Sequence, residues 1–249
     1  MNATIETLLN HRSIRKFTEK PLSQEQIETI VQSAQMASTS SFIQAYTIIG
    51  VKDPSKKTKL AALAGNQSYV EKNGHFFVFC ADLHRHQVAG AMENTDVGES
   101  IESTEKFLVA AVDASLAAQN AVIAAESMGL GICYIGGIRN NVKEVGELLN
   151  LPEYVVPIFG LAVGEPAHES SPKPRLPLSH VYHEEEYNRD ETAFKKDLDE
   201  YNETISAYYE KRTSGKRKDR WTEQIAGMLA EPKRLHMKGY LEEKGFLKR

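Results

Sequence analysis

Hydrophobic and polar positions follow two periods along this chain, and the switches between them mark its elements. Residues 4–10 predict a short helix that ends near Asn10-His11. "LSQEQIETIV" predicts a second helix with a well-marked start: Ser23 and Gln26 form a capping-box pair, and Leu22 can staple onto Ile27. Ile27, Ile30, Val31 and Ala34 fall on one face of it. It is expected to run out at "STSSF", where consecutive hydroxyl residues favour turns and caps. "YTIIGVKD" (46–53) and "HFFVFCAD" (75–82) are rich in β-branched or aromatic residues and predict strands. Between them "PSKKTKLAALAG" predicts a helix that stops at Gly65.

Residues 84–105 carry Glu93, Asp96, Glu99, Glu102 and Glu105 among scattered glycines, and predict a solvated helix or a mobile excursion. The apolar run from Phe107, "FLVAAVDASLAAQNAVIAAESMGLG", is the only candidate membrane span. It carries Asp113, Gln119, Asn120 and Glu126, which lipid tolerates poorly, so it is expected to be a helix of the core or of a subunit interface. A strand "ICYIGG", a capped helix "NNVKEVGELLN" and a buried strand "YVVPIFGLAVGEP" follow. Pro157 near the start of that last strand suggests a sheet edge or the strand's first residues. The final third changes character, with few strand signals and several aromatic-polar helical stretches. No repeat or low-complexity linker divides the chain, so one domain over 1–249 with a C-terminal extension over 201–249 is expected. Strands and helices do not alternate regularly enough for a doubly wound parallel sheet, which favours the α+β class.

Composition narrows the function classes. The 249 residues are 41% hydrophobic and 26% charged, as in an ordinary soluble globular protein, and can bury a substantial core. A formal charge of −4 argues against a dedicated nucleic-acid binder. Within the extension, 12 Lys or Arg stand against 7 Asp or Glu. Cys80 and Cys133 have neither metal spacing nor a disulfide framework; inside apolar runs they are expected to be buried reduced thiols, which suits the cytoplasm. "MNATIETLLN" lacks the basic start and apolar core of a signal peptide.

Several chemistries fail on spacing. "GLGICYIGG" is not G-x-G-x-x-G and leads from a helix into a strand, the reverse of a dinucleotide fingerprint. No P-loop and no G-x-S-x-G elbow occur. "HRH" (84–86) and "HEEE" (183–186) lack a helical i, i+4 His pair, so no metal site is expected. What remains is a dispersed set of donors. "HRSIRKF" (11–17) packs His11, Arg12, Ser13 and Arg15 at the end of the first helix, and reads as a solvated helix end, a nucleic-acid patch or a cradle for a small anion. "NQSY" adds Gln67 and Tyr69, and "YIGG" offers backbone amides at two glycines that permit close approach to a flat ligand. "PKPRLP" presents Lys173 and Arg175 on a stiff, pre-ordered backbone, and planar guanidinium groups suit phosphate.

Together "HRSIRKF", "ASTSSFIQ", "GNQSYV", "AAQNAVIAAESMGLGICYIGGIRN", "FGLAVGEPA" and "KPRLP" resemble, in order and spacing, the FMN-dependent nitroreductase superfamily. The similarity is greatest to its oxygen-insensitive NADPH nitroreductase and flavin reductase branch. It spans nearly the whole chain, including "YNETISAYYEKRTSGKRKDRW". The resemblance implies a mixed, mainly antiparallel sheet flanked by helices, and a homodimer with two FMN molecules at the subunit interface. It places His11, Arg12 and Ser13 at the phosphate and ribityl end of FMN, Arg15 nearer the pyrimidine edge, and Lys173 and Arg175 as further positive charge. Gln67 and Tyr69 would hold the ring or its chain. Ser40, Ser41 and Gln44 would reach in from the other protomer. Tyr134, Ile135, Gly136 and Gly137 would line one ring edge, with the Gly136 amide toward N5.

The implied chemistry is a two-electron cycle. A nicotinamide donor and then an acceptor use the same exposed ring face, which predicts ping-pong kinetics without a catalytic side chain. A fixed cation beside the ring edge stabilises the charge gained on reduction. In this branch a basic stretch takes the 2′-phosphate of NADPH, and the matching residues are Arg212, Lys216 and Arg217; agreement loosens around "TSGKRK", which leaves NADH open. Free flavin, nitroaromatics and quinones are the implied acceptors. A flavin carrier that delivers FMN without turnover is the alternative, and an anionic-polymer binder using the basic extension is a third reading.

Overall fold

The computed structural model describes residues 1–168 and 170–249. In chain order the elements are α1 (Ala3–Leu9), α2 (Gln24–Gln35), β1 (Tyr46–Val51), α3 (Pro54–Leu63), α4 (Ser68–Glu71), β2 (His75–Asp82), α5 (His84–Met92) and α6 (Gly98–Ile101). They continue with α7 (Thr104–Ser127), β3 (Gly131–Ile135), α8 (Val142–Leu148), β4 (Val155–Gly164), α9 (Glu191–Arg212), α10 (Trp221–Ala230) and α11 (Met237–Glu243). The α+β class holds. Its four strands run in the order β1-β2-β4-β3, and all pair antiparallel. The one parallel pairing among the described residues is the isolated bridge Ser13–Ile132.

Local chemistry explains the boundaries. The Ser23 hydroxyl accepts from the Gln26 amide and the Gln26 side chain accepts from the Ser23 amide, so the expected capping box starts α2. Asp53 caps α3 through the Lys56 amide with Pro54 in the first turn, and Gly65 at φ 91° lies just past its end. Ser103 caps α7. One cap is not formed as expected: Asn141 makes no side-chain cap on α8, because its Nδ2 donates to the Leu63 carbonyl at 2.7 Å instead.

Pro157 stands among the strand's first residues, one of the two expected positions. β4 lies between β2 and β3, not at an edge. The strand tolerates a residue without an N–H because β3 reaches only Gly160–Gly164, and the β2 register shifts between Phe79 and Cys80 opposite Pro157.

Residues Met1–Ser170 and Arg234–Arg249 form one compact unit, and Ser171–Lys233 a second. In the first, every residue of β2 is buried. Alternation splits it between two layers: Phe76, Val78 and Cys80 pack with Leu60, Ala61 and Val145 of α3 and α8. Phe77 and Phe79 pack with Ile30 and Ala34 of α2 and the alanines of α7. The segment after Met237 packs back through Tyr240, Leu241 and Phe246 onto Tyr154 and Val142. Both cysteines are buried and free, and burial raises both thiol pKa values.

α7 is long and apolar enough to cross a membrane by length and composition. Its Ala110-Ala114-Ala117-Ala121-Ala125 face is buried against the sheet and α2, while Leu108, Val112 and Leu116 are exposed. Residues 84–105 are largely exposed, but they are held at both ends. Arg85 Nη2 donates to Thr47 Oγ1 at 2.7 Å, and Ile101 is buried beside Ala110. In the second unit, Tyr201, Ile205 and Tyr209 of α9 pack with Leu176, Tyr208 and Trp221.

Candidate functional site

The "HRSIRKF" stretch runs beside β3. Ile14 N donates to the Ile132 carbonyl at 2.8 Å, and Ser13 bridges Ile132. Ile14 and Phe17 are buried, which turns Arg12, Ser13, Arg15 and Lys16 outward. The approach depends on Gly131, since a Cβ there would lie 2.6 Å from Ile14 Cγ1. Arg15 is close enough for its charge to oppose the burial that raises the Cys133 thiol. Arg12 instead donates to the Asn10 carbonyl at 2.9 Å, in a cavity of about 340 Å³ that Glu6 and Glu126 also line. His11 Nδ1 sits 2.8 Å from Glu126 Oε1.

At the far end of β3 the chain turns through Gly136–Arg139. Gly137 packs so tightly that a Cβ would meet the Ala64 carbonyl at 2.4 Å and Gln67 Nε2 at 2.5 Å. Gln67 Nε2 donates to that same carbonyl at 2.7 Å, and Tyr69 donates to Gln67 Oε1 at 2.6 Å. The glycine turn and the Gln67-Tyr69 pair are thus one cluster, at the strand that Ser13 and Arg15 flank. Ile135 points into the core; Tyr134 on the opposite face is 37% exposed, edge-on to Phe159, with its hydroxyl 3.4 Å from Gln119 Oε1. Burial and then the Glu126 charge raise the Tyr134 phenol, keeping it protonated.

Ser40, Ser41 and Gln44 lie elsewhere on the same unit. Ser41, Phe42 and Gln44 take φ of 47°, 59° and 53° in a tight turn. The Ser40 amide donates to Asp113 Oδ1 and the Ala45 amide to Asp113 Oδ2, both at 3.0 Å. Asp113 is fully buried on α7. His11 is tied to Glu126 on that helix, 13 residues on. The two tethers are therefore about 20 Å apart along the axis at 1.5 Å per residue.

Asp113 and Glu126 were not expected among the site residues, and a signal for them was present. Asp113 and Asn120, and Gln119 and Glu126, are each seven apart, two turns along one face. Each of these four residues, Asp113, Asn120, Gln119 and Glu126, tethers something: the 40–45 turn, the Ser33 carbonyl, the Tyr134 hydroxyl and His11, respectively.

In the second unit, Lys173 Nζ stands 5.2 Å from the Tyr209 ring centroid and Arg217 Cζ stands 4.4 Å from it. Lys173 thus shares one ring with Arg217, although the two were expected at different ligands. A hydrogen bond from Lys173 lowers the Tyr209 pKa despite burial, and the Lys173 and Arg217 charges add to it. Arg212 donates to the Tyr208 hydroxyl at 2.8 Å, and Lys216 is exposed in the turn at Gly215. Tyr201 donates to the Pro174 carbonyl at 3.0 Å, which leaves Arg175 near that phenol. Among the described residues, no carboxylate lies within ion-pair distance of Arg12, Arg15 or Arg175. Within the first unit, the exposed Arg15 guanidinium has no carboxylate in ion-pair distance and flanks the strand that carries the half-exposed Tyr134 and ends in the glycine turn, which fits a flat cofactor that carries a phosphate.

Comparisons with known proteins identify the family. Residues 8–165 match the Nitroreductase family, and residues 173–249 match the Nitroreductase family, C-terminal domain. The chain is 57% identical over 248 residues to an FMN reductase (NADPH) of Bacillus subtilis, covering 100% of both chains. It is 50% identical over 241 residues to a Cr(VI) reductase of a Pseudomonas species, covering 97% of this chain and 98% of the relative. The solved structure of NfrA1 from B. megaterium superposes with a TM-score of 0.98 at 64% identity, covering 99% of this chain and 100% of that one. With a family match over most of its length and relatives this similar, the chain belongs to the nitroreductase family.

Proposed function

We propose that this chain is an NADPH-dependent FMN oxidoreductase that works as a homodimer, loading FMN and then passing electron pairs to flat acceptors in a ping-pong cycle. It is an NAD(P)H-dependent oxidoreductase of the nitroreductase family. The observation that carries the FMN reading is the cluster along β3, where Ser13 and Arg15 flank the strand and its glycine turn packs on Gln67. Bound FMN supplies hydride acceptance at its ring and a phosphate for anchoring. Arg12 and Arg15 supply positive charge, and the Ser13 hydroxyl a neutral donor, to bind the phosphate and offset charge gained by the ring; Lys173 and Arg175 are proposed as further cations for the same cofactor. Gly137 lets the turn pack onto Ala64 and Gln67, and the Gly136 amide is proposed to face N5 at the ring edge. Gln67 is locked by Ala64 and Tyr69, so its donor geometry is preset. No side chain is assigned a catalytic proton.

The exposed apolar surface supports the dimer. Leu108, Val112 and Leu116 form a stripe on α7, with Leu8 and Leu9 on α1 and Met36 and Phe42 nearby in sequence to the 40–45 turn. A lone protomer would leave this surface wet. The roughly 20 Å between the Glu126 and Asp113 tethers along α7 supports a site that takes Ser40, Ser41 and Gln44 from the second copy. Arg212, Lys216 and Arg217 are proposed to receive the donor's 2′-phosphate. Free flavin, nitroaromatics and quinones are the proposed acceptors, and the name of the Pseudomonas relative adds chromate. The buried free thiols suit a cytoplasmic setting.

The test is the absorption spectrum of the purified protein before and after anaerobic NADPH. Flavin bands that bleach with NADPH, followed by turnover on adding riboflavin or nitrofurazone, are expected. A protein that takes up no FMN overturns the reading; one that keeps FMN but never bleaches favours the carrier.

A further inference from the structure

Asp113 lies in the middle of an alanine-rich helix face, between Ala110 and Ala117, and is fully buried. Burying a carboxylate there is unfavourable unless both oxygens find donors. Both do, and neither donor is a side chain: the amides of Ser40 and Ala45 each donate at 3.0 Å. The pair brackets the turn in which Ser41, Phe42 and Gln44 all adopt left-handed backbone, a conformation unfavourable for residues that carry a Cβ. Only a carboxylate suits this position, since it offers two acceptor oxygens and no donor; an asparagine would aim an NH₂ at one of the two amides.

We propose that Asp113 is a positioning residue that acts in trans: it presets the 40–45 turn of one protomer to complete the cofactor site of the other. This rests on the reading that Ser40, Ser41 and Gln44 contact FMN across a dimer interface. The turn's conformation is held before any ligand arrives, so its contacts form without an ordering cost at binding. Losing the clamp lets the turn relax out of its left-handed geometry while the sheet and its own protomer's Arg15 remain in place.

Cross-complementation separates this role from a merely structural one. Arg15→Ala and Asp113→Asn are each made as homodimers, then coexpressed with different affinity tags and purified as mixed dimers. FMN is titrated into each apoprotein by fluorescence quenching. Losing a buried charged acceptor should weaken FMN binding by about tenfold or more in the Asp113→Asn homodimer. In the mixed dimer both defects fall on one site and the other is intact. One FMN per mixed dimer should therefore bind with wild-type affinity. A mixed dimer without a wild-type site overturns action in trans, and wild-type affinity in the Asp113→Asn homodimer overturns the inference altogether. Both results leave the cofactor reading standing. Wild-type FMN affinity in the Arg15→Ala homodimer, or a monomer by sedimentation, overturns that reading and this inference with it. If Asp113→Asn is insoluble, Asp113→Glu is used, which keeps both acceptor oxygens but displaces them; the same complementation pattern with a smaller loss is expected, and its absence overturns the proposal.

Discussion

His11 Nδ1 stands 2.8 Å from Glu126 Oε1, joining the first residue of the basic stretch to the last full turn of α7. With Nδ1–H donating to the carboxylate, the ring is oriented and its Nε2 directed away from the helix. Both groups are partly shielded, so the contact is worth more than a solvent-exposed pair. Glu126→Ala should cost about 1 kcal/mol of stability in urea unfolding, allowing for partial exposure. An unchanged midpoint would show that the contact contributes nothing.

Arg15 and Arg175 are exposed guanidinium groups on different units of the chain. If each makes a charge-assisted bond to FMN, Arg15→Ala and Arg175→Ala should each weaken cofactor binding by about 1.5–3 kcal/mol. Flavin content after gel filtration measures this. Full retention in both variants contradicts their assignment.

Gly136 and Gly137 are adjacent, yet they should respond differently to alanine. At Gly137 a Cβ meets backbone, the Ala64 carbonyl, at 2.4 Å; at Gly136 it meets only the end of the Arg139 side chain at 3.3 Å. Gly137→Ala should destabilise by about 1–3 kcal/mol through overpacking and displace Gln67, whereas Gly136→Ala should be close to neutral. Thermal melts of the two apoproteins decide it, and equal losses would refute the contrast.

His75 is buried at the start of β2, in a cavity of about 680 Å³ that Lys52, Lys57 and Asn73 also line. Burial, with the Lys52 and Lys57 charges, pushes its pKa down to about 4 from 6.5. The folded state thus resists protonation while the unfolded chain accepts it. The neutral ring's contribution is fully present above pH 6.5 and is lost as pH falls toward 4, amounting to about 3 kcal/mol over that window. His75→Gln should flatten this part of the stability profile between pH 7 and 4.5. A slope identical to wild type would assign the acid loss elsewhere.

Lys173 and Arg217 converge on Tyr209. The lowered phenol pKa depends first on the Lys173 hydrogen bond, so Lys173→Met should raise it more than Arg217→Ala does. Ultraviolet titration of phenolate reports the shift directly. Arg212→Ala should raise the KM for NADPH more than for NADH; equal effects would remove its 2′-phosphate role.

Much of the architecture was legible because it is local. The Ser23–Gln26 box, the Asp53-Pro54 start, the β-branched and aromatic run "HFFVFCAD" and the alanine face of α7 are decided by neighbours a few residues apart. The family, too, was readable from motifs spread along the whole chain. The sequence by itself therefore determined the elements, the class and the set of donor residues, since helix, strand and cap preferences act over single turns and pairs.

Tertiary structure decided which donors meet. Asn141 abandoned its cap for the Leu63 carbonyl, 78 residues away, and Pro157 entered an interior strand because β3 is short and β2 shifts register opposite it. Lys173 went to Tyr209, and Asp113 and Glu126, which looked like objections to a membrane span, became the tethers of two site segments. No periodicity encodes such pairings: a buried carboxylate is satisfied by whichever amides the packed chain brings within 3 Å, and packing is a property of the whole fold.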